Sequence, residues 1–207
     1  MRKKNLPDKI AENIDTARYE YEIKYSEYAG HAKILAEEAV AEQFDIVVAA
    51  GGDGSINEIG VPLIGTDVAL GIIPCGSGNG FSHHVDLPMD AVKAIQVINQ
   101  GQRHKVDTVT VNGIPFISIA GTGFDAKIAD DYAKDPRRGF DTYFKYIVRN
   151  YVTYREQNYT IIMPEQTIET KALFISFANS NEQGYNIPIS PHASLHDGKV
   201  DLCVVRK

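Results

Sequence analysis

The stretch Phe44-Asp45-Ile46-Val47-Val48-Ala49-Ala50-Gly51-Gly52-Asp53-Gly54-Ser55-Ile56-Asn57-Glu58 decides the fold. Residues 44–50 are a short apolar run of the kind shown by a parallel strand buried on both faces. The run empties directly into Gly51-Gly52-Asp53-Gly54-Ser55, and a helical stretch follows from residue 56 to about residue 64. The same order then repeats. Residues 68–73 form a second apolar strand, Pro74-Cys75-Gly76-Ser77-Gly78-Asn79-Gly80 a second glycine-rich turn, and residues 88–99 an amphipathic helix. Upstream, residues 29–43 are rich in Ala, Glu and Leu and predict a helix. Residues 19–25 alternate large and charged side chains with period two and predict a strand. The βαβ alternation from residue 6 to about residue 101 predicts an open α/β sheet with right-handed crossovers.

Beyond Gly101 the pattern changes. Residues 106–111 and 115–120 flank Asn112-Gly113, a strong hairpin signal. A long helical region covers roughly residues 124–155, and strands return at 159–163, 167–178 and 199–205. Strands grouped in this way predict an antiparallel sheet or sandwich. The fold class is therefore α/β: a Rossmann-like α/β domain over residues 1–103, then a β-rich, sandwich-like domain over residues 104–207.

Bulk properties narrow the function. The 207 residues are 43% hydrophobic and 23% charged, ordinary values for a globular protein with a real core. No apolar run is long enough to cross a bilayer, and no signal peptide is expected from the basic, then polar, first residues. Cys75 and Cys203 lie far apart and have no neighbours at metal-ligand spacing, a usage that suits a reducing compartment. The formal charge of −6 argues against nucleic-acid binding. It also argues against adhesion to anionic membranes by net charge, though a local patch can still act.

The chemistry is concentrated in the two turns. Ligands of open α/β sheets bind outside the carboxyl ends of the strands. Glycines there let the backbone approach a phosphate, and the following helix offers free N–H groups. A carboxylate among those glycines repels a phosphate; Asp53 makes sense if it engages a metal or takes a proton from an attacking hydroxyl. The plainer reading is a tight turn in which Asp53 is the helix N-cap. Neither turn has the G-x-x-x-x-G-K-[ST] spacing of a P-loop, and neither has a good G-x-G-x-x-G dinucleotide fingerprint.

Gly51 to Ile59 (GGDGSINEI), followed by Gly71 to Asn79 (GIIPCGSGN), resembles the catalytic domain of the diacylglycerol kinase family, which includes sphingosine and ceramide kinases and the bacterial soluble lipid kinases. Three further segments agree in order: Ser26-Glu27-Tyr28-Ala29-Gly30-His31-Ala32, Gly121-Thr122-Gly123-Phe124-Asp125-Ala126, and residues 187–202 with Pro191, Ala193 and Asp197-Gly198. The resemblance implies an ATP-dependent lipid kinase of cytoplasmic location that meets its lipid alcohol at the membrane surface; a homodimer is allowed. It implies that Gly51, Gly52, Asp53, Gly54, Ser55, Ile56, Asn57, Gly76, Ser77, Gly78 and Asn79 line the nucleotide, with Ser26 adding a hydroxyl contact. It assigns the chemistry to Asp53. It places Mg²⁺ at the Asp197 carboxylate with the backbone carbonyls of Ser194 and Lys199, a donor set suited to a hard cation.

Two departures stand out. Family members open with a strand and an N-P-x-(S/G)-G-type loop, and end with strands carrying a D-G-E motif. Neither occurs here, so the chain is expected to be a fragment with weak nucleotide binding and little activity of its own. An NAD kinase-like enzyme, which shares a G-G-D-G turn, and an inactive nucleotide- or lipid-binding remnant are the rival readings. Among weaker features, Lys134, Arg137, Arg138, Lys145, Arg149 and Arg155 accompany Phe140, Phe144, Ile147 and Tyr151 at helical spacing. This predicts a helix whose apolar face packs on the core. The functional alternatives are an arginine (Arg137 or Arg138) reaching ATP, or contact with a lipid surface. His83-His84 read as loop or surface histidines, and Asp130 and Asp131 as a solvated helix face.

Overall fold

The computed structural model describes residues 5–137, 139–185 and 187–207. Pro7 opens helix α1 (Leu6–Asn13), and α2 (His31–Ala41) follows a long irregular connection. Strand β1 (Ile46–Gly51), helix α3 (Asp53–Gly60) with a 3₁₀ turn at Val61–Leu63, and strand β2 (Ala69–Pro74) form the expected βαβ unit. The short α4 (Gly80–His84) and then α5 (Ala91–Gln100) complete this part. Asp90 caps α5 by accepting from Lys93 N at 3.1 Å, and Gly101 ends it in the left-handed region at φ 68°. β1 and β2 pair in parallel from Ile46↔Ala69 to Gly51↔Pro74.

Two expectations for this part fail in detail. Residues 19–25 form no strand; Tyr25 is 68% exposed, and no strand among the described residues pairs with the segment. Alternation orients side chains, but a strand also needs a ladder of hydrogen bonds from a neighbour. Instead the chain from residue 13 to residue 19 is sewn to the end of α5. Asn99 accepts from Asp15 N at 3.0 Å and donates to Asn13 O at 2.7 Å, and the Tyr19 hydroxyl donates to Ile98 O at 3.1 Å. β1 is also not buried on both faces: Ala49 is fully buried but Val48 is 38% exposed.

The second part begins with the hairpin of β3 (Val109–Val111) and β4 (Ile114–Phe116). Asn112 and Gly113 both take positive φ, 52° and 77°, as a two-residue primed turn requires. After β5 (Ile119–Gly123) come α6 (Phe124–Lys134) and α7 (Phe140–Tyr151), so the predicted long helix is two, broken at Asp135-Pro136. Strands β6 (Gln157–Ile162), β7 (Thr167–Ala172), β8 (Phe174–Ala178) and β9 (Asp201–Val205) complete the chain. β5, β8 and β9 make an antiparallel sheet in that order, and β6 and β7 form a hairpin.

One core cluster joins the two parts. Ala49, Ile56, Ile72 and Phe81 from the α/β part pack with Ile117 and with Leu195 of the D-G segment. Hydrogen bonds reinforce the contact: Ile117 N donates to Asn57 Oδ1 at 3.1 Å, and Asn181 N donates to His84 Nδ1 at 3.1 Å. The apolar burial and these bonds hold the second part against the ends of β1 and β2.

Candidate active site

Because β1 and β2 are parallel and in register at their last residues, both glycine turns leave the same edge of the sheet. Cys75 N donates to Gly51 O at 2.8 Å, so the turns are bonded to each other where they begin. Their backbones then touch. A Cβ on Gly76 would lie 2.5 Å from Gly52 Cα and 2.6 Å from Asn79 Oδ1, closer than any side chain fits. The glycines permit this close approach.

Helix α3 starts at the first turn. Gly52 is its N-cap and supplies no side-chain acceptor. The first helical bond runs from Ile56 N to Gly52 O at 3.0 Å, so the N–H groups of Asp53, Gly54 and Ser55 have no acceptor within the helix. A helix start with open donors and its positive dipole end suits an anion. The space beside Gly54 is clear to 4 Å.

Asp53 is not the N-cap of its own helix. Its Oδ1 accepts from Phe81 N at 2.9 Å, so it reaches across to hold the start of α4. Its Oδ2 faces the second turn, 3.6 Å from where a Gly78 Cβ would stand. One oxygen thus ties the turns together, and the other looks into the space between them.

The remaining predicted residues divide by role. Ile56 is 1% exposed in the shared core, so only its backbone is available to a ligand. Asn57 Oδ1 accepts from Ile117 N at 3.1 Å and links α3 to the second part. Asn79 adopts φ 53°, and its amide donates to Gly76 O at 3.1 Å, while its buried Oδ1 has no hydrogen-bond partner among the described residues. Asn79 therefore braces the second turn from beneath. Ser26 sits on the exposed segment before α2, and no hydrogen bond among the described residues joins it to either turn. The nearest tie between that region and α3 is Ala32 N to Glu58 Oε1 at 3.1 Å.

The opposite wall was not legible in the sequence. Residues 182–185 press on the second turn: a Cβ on Gly80 would lie 2.5 Å from Glu182 O, and one on Gly184 2.9 Å from Gly78 Cα. Tyr185, itself at φ 56°, donates its hydroxyl to Ser77 Oγ at 2.7 Å. Tyr132 OH lies 3.3 Å from Ser77 Oγ and 3.4 Å from Tyr185 OH. Burial pushes the Tyr185 phenol up to about 12. His84, read as a loop or surface residue, lies in α4, half-buried, and its Nδ1 accepts from Asn181 N at 3.1 Å. The only sequence signal for this wall is the glycine at position 184.

Asp125, from the G-T-G-F-D-A turn, lies behind this wall. It accepts from Tyr143 OH at 3.3 Å and from Gln183 Nε2 at 2.9 Å. Burial raises its pKa, and the two hydrogen bonds oppose that rise. Arg137, considered as an ATP contact, has its guanidinium committed to Asp135 through Nε at 3.0 Å and a second nitrogen at 2.8 Å. Arg138 lies outside the described residues. Asp130 and Asp131 pair with Lys134 and Lys127 along α6, as solvated helix residues do.

The Arg137 side chain and then its backbone N–H hold the Asp135 carboxyl well below the usual carboxylate range. A depressed folded pKa contributes stability that is present above the unfolded pKa and lost as pH falls toward the folded one. Asp135→Asn is therefore expected to flatten the acid limb of a melting-temperature profile, measured by circular dichroism from neutral pH downward.

The D-G segment offers hard donors. Gly198 N donates to Asp107 Oδ2 at 2.7 Å, and Lys199 N to Asp197 Oδ1 at 3.0 Å, which brings two carboxylates to one turn. No hydrogen bond among the described residues takes the Ser194 or Lys199 carbonyl oxygen. No group of three His, Cys, Asp or Glu gathers among the described residues, so a cation here draws largely on backbone oxygens. That donor chemistry fits Mg²⁺.

Comparison with known proteins gives the arrangement its family. Residues 1–111 match the diacylglycerol kinase catalytic domain, and residues 118–207 match the YegS C-terminal NAD kinase beta sandwich-like domain. The chain is 29% identical over 210 residues to a diacylglycerol kinase of Bacillus subtilis (strain 168), covering 99% of this chain and 69% of that protein. It is 28% identical to a diacylglycerol kinase of Staphylococcus aureus (strain JH9), covering 99% of this chain and 66% of that one. The chain thus spans about two thirds of the length of these relatives. A solved structure of a diacylglycerol kinase from Bacillus anthracis str. Sterne superposes with a TM-score of 0.77 at 23% identity, over 97% of this chain and 70% of that one, and shares the fold. With two glycine turns in contact at the ends of parallel strands, a sandwich-like second part, and catalytic-domain similarity over residues 1–111, the chain belongs to the diacylglycerol kinase catalytic-domain family, a family of kinases.

Proposed function

We propose that the chain carries the phosphoryl-transfer site of an ATP-dependent lipid kinase whose substrate is a diacylglycerol- or sphingoid-like alcohol. The observation that carries the reading is the contact of Gly52 with Gly76, which brings three N–H groups without helical acceptors and the Asp53 carboxylate to one place. On this reading residues 51–57 and 76–79 hold the nucleotide, the phosphates on the backbone of the turns, with the chain divided at residues 103 and 104 and the lipid entering between the parts.

The lipid hydroxyl oxygen bonds to the γ-phosphorus as the bond from that phosphorus to the β–γ bridging oxygen breaks, and ADP leaves. Asp53 Oδ2, the oxygen not bonded to Phe81 N, receives the hydroxyl proton. The N–H groups at the start of α3 take up charge on the phosphate oxygens. Asp197, with Asp107 and the Ser194 and Lys199 carbonyls, would hold Mg²⁺, which supplies charge neutralisation when bound. On this reading the protein works at the cytoplasmic face of the membrane, where ATP and the lipid alcohol meet. No helix among the described residues is long and apolar enough to cross a membrane.

The similarity of residues 118–207 to an NAD kinase beta sandwich-like domain favours one second reading, phosphorylation of a dinucleotide hydroxyl. One experiment separates the two. The chain is incubated with Mg²⁺ and γ-labelled ATP, and either diacylglycerol vesicles or NAD is offered. The expected result is label in the lipid phase only, at low yield for the 207-residue chain; label in NADP and none in lipid overturns the reading.

A further inference from the structure

Helix α7 leaves an apolar stripe unpartnered. Tyr143, Tyr146 and Ile147 pack inward with Phe124, Ile128 and Leu173. Phe140, Phe144, Val148 and Val152, spaced four apart, face outward, with Phe144, Val148 and Val152 at 52, 54 and 79% exposure. The predicted core-packed face is therefore correct for Ile147 but wrong for Phe140 and Phe144. A run of exposed aromatic and branched side chains along one helix is a costly surface for water to cover and marks an interaction site.

The charge beside it indicates what covers it. Lys145 and Arg149 border the stripe on α7, are exposed, and form no ion pair among the described residues. Arg149 also lines a cavity of about 350 Å³ between α6 and α7, with Lys127, Lys134, Asp131, Tyr146 and Asn150. Residues 124–155 carry seven cations against five carboxylates, in a chain whose net charge is −6. The basic excess is thus local to this stretch of sequence, and Lys145 and Arg149 lie next to the apolar stripe.

The stripe also leads to the site. Phe140 stacks on Phe144 at 5.9 Å and meets the Tyr185 ring edge-on at 5.4 Å. Tyr185 in turn bonds Ser77 of the second glycine turn.

The geometry points to α7 as a membrane-docking helix: Phe140, Phe144, Val148 and Val152 enter the surface of an anionic bilayer, Lys145 and Arg149 meet its headgroups, and the cavity between α6 and α7 accepts one phosphate headgroup. An amphipathic helix with a basic edge binds an interface in this way. Through Phe140 and Tyr185 the docked helix adjoins the second glycine turn. The inference rests on the lipid-kinase reading for its purpose, but the docking itself does not require catalysis.

The test is sedimentation of the 207-residue chain with phosphatidylcholine vesicles that contain or lack phosphatidylglycerol, without nucleotide. The chain is expected to pellet with the phosphatidylglycerol vesicles and to stay largely in solution with neutral ones. Phe144→Asp with Val148→Asp should abolish pelleting with little change in melting temperature; the milder Phe144→Gln should weaken it and guards against misfolding. Lys145→Gln and Arg149→Gln should each weaken it by about fivefold. Failure of the wild-type chain to pellet with either vesicle overturns the proposal, as does unchanged pelleting of the double variant. So does conversion of a dimer to a monomer by that variant with vesicle binding intact, which would assign the stripe to a second copy. A water-dispersed short-chain diacylglycerol and NAD, offered alongside, separate the two ideas: label in NADP and none in the lipid, with stripe-dependent pelleting retained, would sink the lipid-kinase reading and leave the docking helix standing.

Discussion

Asp53→Asn is expected to lower phosphoryl transfer by about 10²–10⁴-fold, the usual contribution of a general base, with little change in melting temperature. The asymmetry follows from the two oxygens. Oδ1 accepts from Phe81 N at 2.9 Å, and the Asn carbonyl oxygen can keep that bond. Oδ2 faces Gly78 across the space between the turns, and the amide nitrogen that replaces it can neither accept a proton nor ligate a cation. Asp53→Ala is the informative companion, since it removes both functions. It leaves Phe81 N without its acceptor at the start of α4, a cost of about 1–3 kcal/mol for a buried donor. Turnover of the Asn variant equal to wild type in the lipid assay would remove Asp53 from the chemistry and leave it as a brace.

Gly76→Ala is expected to damage both nucleotide binding and stability, whereas Gly78→Ala should leave stability nearly unchanged. The two glycines belong to one turn and look equivalent in sequence. A methyl at Gly76 would stand 2.5 Å from Gly52 Cα and 2.6 Å from Asn79 Oδ1, and backbone cannot rotate away. The turns must separate, which costs about 1–3 kcal/mol as overpacking usually does. At Gly78 the nearest atoms are 3.5–3.6 Å from the added carbon, ordinary contact distances. Calorimetric titration with ATP and thermal melts of both variants check the contrast; equal behaviour of the two would mean that the turns do not depend on touching.

Local signals in the sequence predict the elements that depend on local chemistry. The apolar runs that become β1 and β2, the glycines after them, and Asn112-Gly113 each constrain backbone over a few residues, and the structure follows them. The segment at residues 19–25 has the right alternation and no strand, because pairing is a property of the neighbour. The helical region after residue 124 was visible, but Phe140 and Phe144 differ from Ile147 only in which side of α7 meets Phe124 and Leu173, and that depends on how α6 and α7 pack. Asp53 and the two turns were legible as a candidate site, since glycine next to a carboxylate after a strand is unusual. Tyr185, Tyr132, His84 and Gln183 were not, because each meets its hydrogen-bond partner only in the folded chain, 55 to 108 residues away in sequence.

The central claim is that the two glycine turns form one phosphate cradle. Hydrogen–deuterium exchange of the chain with and without saturating Mg-ATP tests it most directly, because the claim concerns particular backbone N–H groups. The account predicts slowed exchange at Asp53, Gly54 and Ser55 and across residues 76–79, with β6 and β7 unaffected. Protection centred elsewhere at saturating ATP, with the amides of Asp53, Gly54 and Ser55 exchanging as fast as in its absence, would contradict it.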